Sequence, residues 1–527
     1  MGTTTTNHKD CALKWFRKYH KWPSLIFTFF IFLFSLSGII LNHREQFSSV
    51  DINRKYLPAD YRYNNWNLAS IKSQIPLSTD SLLVFGNIGV WKTDAGYQTF
   101  SDFNEGFPAG VDNRKINSLI RTQNNRLFAG TLFGLYEHKA VWQKVALPVA
   151  EERIVKVMEK GDSLLVVTRS NLLVANKTSD NLTFSKIDLP AGEDDDNKTG
   201  LFKTLWVIHS GEIYGQVGKL LVDAVGLIVI IISITGLFYW LAPHLLKRVR
   251  KSVGQRVKKV NAFSLKWHNR LGSWAILILL TTTMTGMFLR PPLLIPIANA
   301  KVKKIRYSEL DNPNPWFDRL RYLLYDKELN RYILATSEGI YYSDDAFGSP
   351  LRKYPVQPPV SIMGITVFEQ LSGGDYLLGS FSGIYRWIPD QGIIQDYISK
   401  SPAGPNQPGS SPFGSSAVSG FIRPSQGGEI VFDYVEGAIP LDQAAGFPAM
   451  PSGVLAKSPL SLWNTALEVH TGRIWEFLIG KFYILIVPLT GLAMLLILVT
   501  GFFAWWIPYR RKRRNSATSA SGNIRVN

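Results

Sequence analysis

The chain predicts an α-helical membrane bundle of four transmembrane helices, organised as two duplicated helix pairs, together with an all-β extracytoplasmic domain built as a split β-propeller of about six blades. Three observations predict it. Four apolar segments are long enough to cross a bilayer, these segments repeat one another in pairs, and two long polar inserts carry recurring strand–turn–strand patterns.

Trp22–Leu41 and Leu220–Leu241 each come close to the ~20 apolar residues that span a bilayer. Trp274–Leu289 is shorter, and the apolar Leu293–Ala298 beyond Pro291-Pro292 is expected to extend it; Phe482–Ile507 is ample. The spans divide the chain into an N-terminus (1–21), a first span (22–44), a β half-domain (45–203), a second span with a histidine segment before it (204–244), a basic loop (245–265), a third span (266–290), a second β half-domain (291–462), a fourth span with its own histidine segment (463–508) and a basic tail (509–527). A cleaved signal peptide is not expected, because the first segment has no small-residue cleavage site and runs on into Asn42-His43-Arg44.

The net charge of +18 invites a nucleic-acid reading, but its placement argues for topology. Lys14, Arg17, Lys18 and Lys21 precede the first span, Lys247 to Lys259 join the second and third, and Arg510 to Arg514 follow the fourth. All three clusters fall on one side of the membrane, which the positive-inside rule makes the cytoplasm. Both inserts are then outside. Cys11 is the one cysteine, so intrachain disulfides, covalent C-x-x-C-H haem and a cluster held by the chain's own thiolates are excluded.

In the inserts, Leu127 to Tyr136, Ile333 to Tyr342 and Leu377 to Trp387 each read as strand, glycine turn, strand, with weaker copies at Leu83–Trp91, Leu164–Val174 and Ile430–Ile439. That is about three units per insert, at spacings near the ~40–50 residues of a propeller blade. Three alone would leave open edges; six could close a ring. Two separate small β-domains are the alternative. Gly404–Ser419 reads as a surface loop.

Each span carries a small hydroxyl residue followed by glycine: Ser37-Gly38, Thr235-Gly236, Thr285-Gly286 and Thr500-Gly501. His20 precedes Gly38 by the same 18 residues that separate His268 from Gly286, which puts histidine and glycine on one face of each helix. His209-Ser210-Gly211 and His470-Thr471-Gly472 repeat each other ahead of the second and fourth spans. Duplication of this kind commonly creates a pseudo-twofold site between the copies.

His8 and His138 have no membrane context and read as surface residues; the other six histidines divide between the two membrane faces. An imidazole at a span boundary can be an interfacial residue. Four in duplicated positions point instead to axial ligation of two low-spin b-type haems, His20 with His268 near the cytoplasm and His209 with His470 outside, with His43 and His244 as alternates. Gly38, Gly286, Gly236 and Gly501 would relieve crowding against the haems, or serve as small-residue helix contacts. Arg44, Arg270 and Arg473 could pair with propionates or anchor the headgroup region. Zinc lacks its usual three or four ligands here, although Glu212 and Glu468 lie close to His209 and His470 in sequence. Asp223 is an expensive charge within a span, either a proton-linked group or an interfacial partner of Lys219.

Trp15–Arg44, Lys266–Phe288, His-Ser-Gly-x-Ile-Tyr-Gly at 209–215 and His-Thr-Gly-x-Ile-Trp at 470–475 resemble the PepSY-associated transmembrane family. The resemblance covers the four spans, and His20, His209, His268 and His470 match the recurring histidines of that family. It implies a bacterial inner-membrane protein related to iron-regulated proteins and di-haem ferric-siderophore reductases, with haem b and electron delivery to a periplasmic ferric chelate. The inserts show no clear PepSY module. With no Gly-rich phosphate loop between a strand and a helix, the electron donor is expected to be external, quinol or another reductase. Two further readings stand beside an electron conduit: a non-enzymatic membrane-anchored propeller that senses or binds a ligand, and a permease for chelated iron.

Overall fold

The computed structural model describes residues 3–150, 152–361, 364–405, 416–425, 428–442 and 446–522. Part of the Gly404–Ser419 loop (406–415) and the end of the tail lie outside these residues. The chain forms two compact units, a helical one (1–44, 198–311, 463–527) and a β-rich one (45–197, 312–462).

The helical unit holds α1 (Thr3–Asn42), α2 (Leu201–Ser210), α3 (Gly215–Leu246), α4 (Lys251–Phe288), α6 (Leu462–His470), α7 (Glu476–Ile479) and α8 (Ile486–Gly522); the short α5 (Ser452–Ala456) belongs to the β unit. Among the described residues four stretches are long and apolar enough to cross a membrane: Asp10–Asn42, Glu212–Leu246, Lys251–Phe288 and Arg473–Arg511. Helix α1 packs beside α8 and α3, and α4 beside the same two, so α1 and α4 stand diagonally across a four-helix bundle. Ile31, Val225, Val229, Ala275, Leu279, Met494, Ile497 and Leu498 form its dry middle layer. Large apolar side chains on the outer faces, Ile26, Leu220, Leu277 and Leu492 among them, are exposed, as suits contact with lipid tails.

Three expectations about the spans change. The third helix stops at Phe288, and Leu293–Ala298 does not extend it, because the two prolines cannot continue the hydrogen-bond ladder and Ile295–Ile297 forms a separate 3-10 turn. The basic loop shrinks to a short link, since most of 245–265 is already helix α4, and the tail continues α8 to Gly522. The fourth span is broken at its start into α7 and the 3-10 turn Gly480–Leu485 before α8 begins.

Among its described residues the β unit holds six small antiparallel sheets, three from each insert, and a two-stranded pair between Asp51–Ile52 and Leu460–Ser461. In chain order the first strands of the six sheets are Ser73–Pro76, Ile116–Arg121, Ile154–Lys160, Leu320–Asp326, Ile365–Ser372 and Val418–Ile422. Each contacts the next, and the last contacts the first. The six strand–turn–strand motifs read from the sequence are the second and third strands of these sheets. Their alternating small and branched residues bury both faces, and each sheet packs on its neighbour through a core such as Ile333, Phe368, Tyr376, Leu378 and Trp387. His138 is less exposed than expected, its ring stacked on Phe103 with centroids 4.5 Å apart.

Candidate functional site

Each hydroxyl-glycine pair receives a histidine from a different helix, and the local geometry is the same four times. The hydroxyl of Ser37 donates to the carbonyls of Leu33 and Phe34, and Thr235, Thr285 and Thr500 likewise donate to the carbonyls four and three residues behind them. The carbonyl three residues behind also accepts from an imidazole Nδ1: Phe34 O from His470 at 3.0 Å, Ile232 O from His268 at 2.9 Å, Thr282 O from His209 at 2.8 Å and Ile497 O from His20 at 3.0 Å. The glycine that follows provides the room. A Cβ on Gly38, Gly236, Gly286 or Gly501 would lie 3.3, 3.0, 2.6 or 2.8 Å from the imidazole seated there.

The flat group against the helix backbone is an imidazole ring, and His20 and Gly38, though on one helix face, serve opposite ends of the bundle. Each histidine crosses to the other half of the duplication: His20 enters the notch of α8, His268 that of α3, His209 that of α4 and His470 that of α1. The same twofold relation appears where Ile39 meets Gly226 and Met287 meets Gly491.

Docked this way, the imidazoles lie in two pairs, edge-on at 79° for His20 and His268 and tilted at 54° for His209 and His470. His20 and His268 have ring centroids 6.0 Å apart, and so do His209 and His470. Since Nδ1 is engaged by a carbonyl, its hydrogen is placed there and Nε2 keeps its lone pair, as in histidines that bind metals. Burial holds His209 below its usual range, and burial, His209 and Arg290 together push His470 down to about 3, so both outer imidazoles stay neutral. Each pair brings two imidazoles close enough to share one metal. Among the described residues no three His, Cys, Asp or Glu side chains gather as a metal site; Glu212 pairs with Lys219 and Glu468 with Arg473.

Local chain geometry explains the outer pair. His209 and His470 both end short helices, α2 and α6, and each is followed two residues later by a glycine in the left-handed region, Gly211 (φ 83°) and Gly472 (φ 75°), that turns the chain toward the next span.

The remaining candidates go elsewhere. His43 Nε2 is 2.7 Å from Asp223 Oδ2, and Asn42 donates to Asp223 Oδ1 at 2.8 Å and to Ser210 O at 3.3 Å. Asp223 therefore does not face Lys219, which pairs with Glu212 at 2.8 Å. His244 is exposed beside Trp240, with ring centroids 5.6 Å apart. Arg44 lies over Trp463 at 3.8 Å, exposed Arg270 lies over Trp274 at 4.4 Å, and Arg473 grips Glu468 through two hydrogen bonds of 2.5 and 2.6 Å. Sequence reasoning missed Arg290. It hydrogen-bonds Tyr483, lies beside Glu468 and Arg473, reaches His470 with its charge, and its buried Nε has no hydrogen-bond partner among the described residues. The available signal was its position four residues after Gly286, where Asn42 stands after Gly38.

A family model described as the PepSY-associated TM region matches residues 17–507. No curated protein matches the chain. Solved structures similar to it include the extracellular domain of a protein described as the hybrid two component system BT4673 from B. thetaiotaomicron, 11% identical over 70% of this chain and 32% of that one, with a TM-score of 0.33. The extracellular domain of the hybrid two component system BT3049 from the same organism is 11% identical over 71% of this chain and 39% of that one, with a TM-score of 0.31. The chain spans about a third of the length of these structures.

Proposed function

The chain belongs to the PepSY-associated TM region family, and from that premise we propose that it is a transmembrane electron conduit that carries two b-type haems and reduces a periplasmic acceptor, a ferric siderophore or other chelated Fe(III), in the service of iron acquisition. The observation that carries this reading is the pair of imidazole pairs, each at 6.0 Å. Two imidazoles this close would be able to hold one metal between them, His20 with His268 and His209 with His470.

Haem, when bound, supplies one-electron Fe(III)/Fe(II) chemistry. The protein's own residues do the rest. His20 and His268 would hold the cytoplasmic haem, His209 and His470 the outer one, and the four carbonyls fix the imidazole tautomer and ring orientation. The orphaned Nε of Arg290 suits a propionate at the outer site. Ile31, Leu279, Met494 and their neighbours keep water out of the layer between the two pairs. On α1 and α4 the pairs are separated by 14 to 18 residues, about 21–27 Å of helix. The six sheets are read as the blades of a propeller split three and three between the inserts, which selects the acceptor. Electrons enter from quinol or another reductase in a bacterial inner membrane whose cytoplasmic face carries both termini.

A visible spectrum of the detergent-purified protein, oxidised and dithionite-reduced, with a pyridine haemochrome assay, tests the reading. Sharp b-type bands and two haems per chain are expected. A featureless spectrum after haem-replete expression would overturn it and leave a membrane-anchored β-domain that binds a ligand.

A further inference from the structure

The duplication that builds the helical unit is broken along one seam. Helix α1 lies against α8 as α4 lies against α3, with His20 docked on Ile497 O in the first pair and His268 on Ile232 O in the second. Between α1 and α8 runs a groove of about 320 Å³, from Lys18 at one end to Phe27 at the other, walled by Trp22, Pro23, Ala493 and Leu496. Proline and alanine leave the room, since neither carries a long side chain. The corresponding positions of the other seam hold Leu271 for Pro23, Trp274 for Ile26 and Ile228 for Ala493. There Arg270, standing where α1 has Trp22, lies over Trp267 and Trp274 at 5.4 and 4.4 Å.

The charge differs in the same way. Lys14, Arg17, Lys18 and Lys21 fall within eight residues of α1 and share one helix face beside the groove, whereas α4 has Ala262, Leu265, Lys266 and Asn269 in their places. Lys18 and Lys21 keep their ammonium groups 6.0 and 5.0 Å from the rings of Tyr19 and Trp22, aromatic types that favour the headgroup level of a bilayer. Among the described residues of α1 and α8 the one carboxylate is Asp10, held by Arg511 at 2.7 Å.

The seam is shut on the side of the chain ends. Phe16 stacks on Phe503 with ring centroids 5.1 Å apart, and the Asp10–Arg511 pair lies beyond it. Trp22 and Ile26 are exposed along the groove, so its open side is the one that faces lipid. An occupant therefore enters from the bilayer, is apolar where it meets Ile26 and Leu496, and carries negative charge at the Lys18 end. A neutral isoprenoid quinone meets the first two conditions and leaves the cations without a partner; an anionic phospholipid meets all three.

We propose that this groove is a binding site for one anionic glycerophospholipid, with an acyl chain along Pro23, Ile26 and Ala493 and the phosphate at Lys18, supported by Lys14 and Lys21. The site does not depend on the haem reading. Leu496 immediately precedes Ile497, whose carbonyl accepts from His20 at 3.0 Å, so the lipid braces the α1–α8 seam where an imidazole is docked.

Native mass spectrometry of the full-length protein, delipidated in detergent and titrated with dioleoylphosphatidylglycerol, tests the site; dioleoylphosphatidylcholine, with the same chains, and decylubiquinone are the comparators. One phosphatidylglycerol is expected to bind more tightly than either comparator. Lys14→Gln and Lys18→Gln should each weaken it about fivefold, as for the loss of one cation at an anionic surface. Ala493→Phe, which fills the groove, should weaken it further, and Lys266→Gln on the other seam should leave it unchanged. Equal affinity for the two phospholipids would overturn the proposal, as would unchanged affinity in both Lys18→Gln and Ala493→Phe with native circular dichroism, or equal weakening by Lys266→Gln. Displacement of the phospholipid by equimolar decylubiquinone would overturn it in favour of a quinone site.

Discussion

His470 and Gly38 meet across the two halves of the duplication, the imidazole of one seated where the other has no side chain, 3.3 Å from the position a Cβ would take. Three more histidine–glycine pairs repeat the contact. A glycine costs roughly 0.5–1 kcal/mol relative to alanine inside a helix, so four in equivalent places need a local cause. The docked imidazole is that cause.

Alanine at a notch should therefore be worse than its helix propensity suggests. Gly286→Ala or Gly501→Ala would put a Cβ 2.6 or 2.8 Å from His209 or His20 and should displace one imidazole from its pair. Haem per chain, measured by pyridine haemochrome, should fall from two toward one. The control is Gly272→Ala, where a Cβ meets nothing within 4 Å; it should keep both haems and gain about 0.5–1 kcal/mol of stability.

Single histidine changes should sort into two classes. His20→Ala and His268→Ala should remove the same spectral component, and His209→Ala and His470→Ala the other. His43→Ala and His244→Ala should leave both components, since His43 is bound to Asp223 and His244 is exposed. Low-temperature reduced-minus-oxidised spectra resolve the components, and loss of both from any one variant would contradict independent sites.

Asp223 should behave as a structural partner of the helix ends. Asp223→Ala leaves His43 and Asn42 without their shared acceptor and should cost about 1–3 kcal/mol. The expected result is a lowered melting temperature of the helical unit with two haems still bound. Haem loss without destabilisation would speak against this role.

Lys72 should make the stability of the β unit depend on pH. Its folded-state pKa, about 7, lies below the ordinary 10.5, so between these values the unfolded chain binds more protons than the folded one. Its contribution to stability therefore rises with pH across that window. Thermal melts at pH 7 and pH 9 should show a larger increase for the natural chain than for Lys72→Met, and an equal increase would refute the assignment.

Gly437 tests the joint between the last sheet and the segment before the first. Its φ is +84°, and a Cβ would fall 1.8 Å from Asn65 O, in a turn where Ala438 N donates to that same oxygen. Gly437→Ala should destabilise the β unit by at least ~1–3 kcal/mol while leaving haem content unchanged. Calorimetry with parallel visible spectra would separate the two effects.

The sequence by itself determined the number of spans, their pairing and the strand hairpins, though not where each span ends, because hydropathy, duplication and the two-residue alternation are written along the chain and need no partner to be read. It also named His20, His209, His268 and His470, since their repetition in two copies is a linear signal. Which notch each imidazole enters was decided only by tertiary structure. Gly38 and His20 share a helix face, yet Gly38 receives His470 and His20 enters the notch at Gly501, because the helices cross and the copies exchange their side chains. The pairing of Asp223 with His43, the place of Arg290 beside His470, and the approach of Lys72 to Asn117, Lys115 and Arg153 likewise depend on segments far apart in the chain. A sequence records which groups exist at each position, whereas close approach, burial and charge crowding arise only when distant helices and strands are packed together.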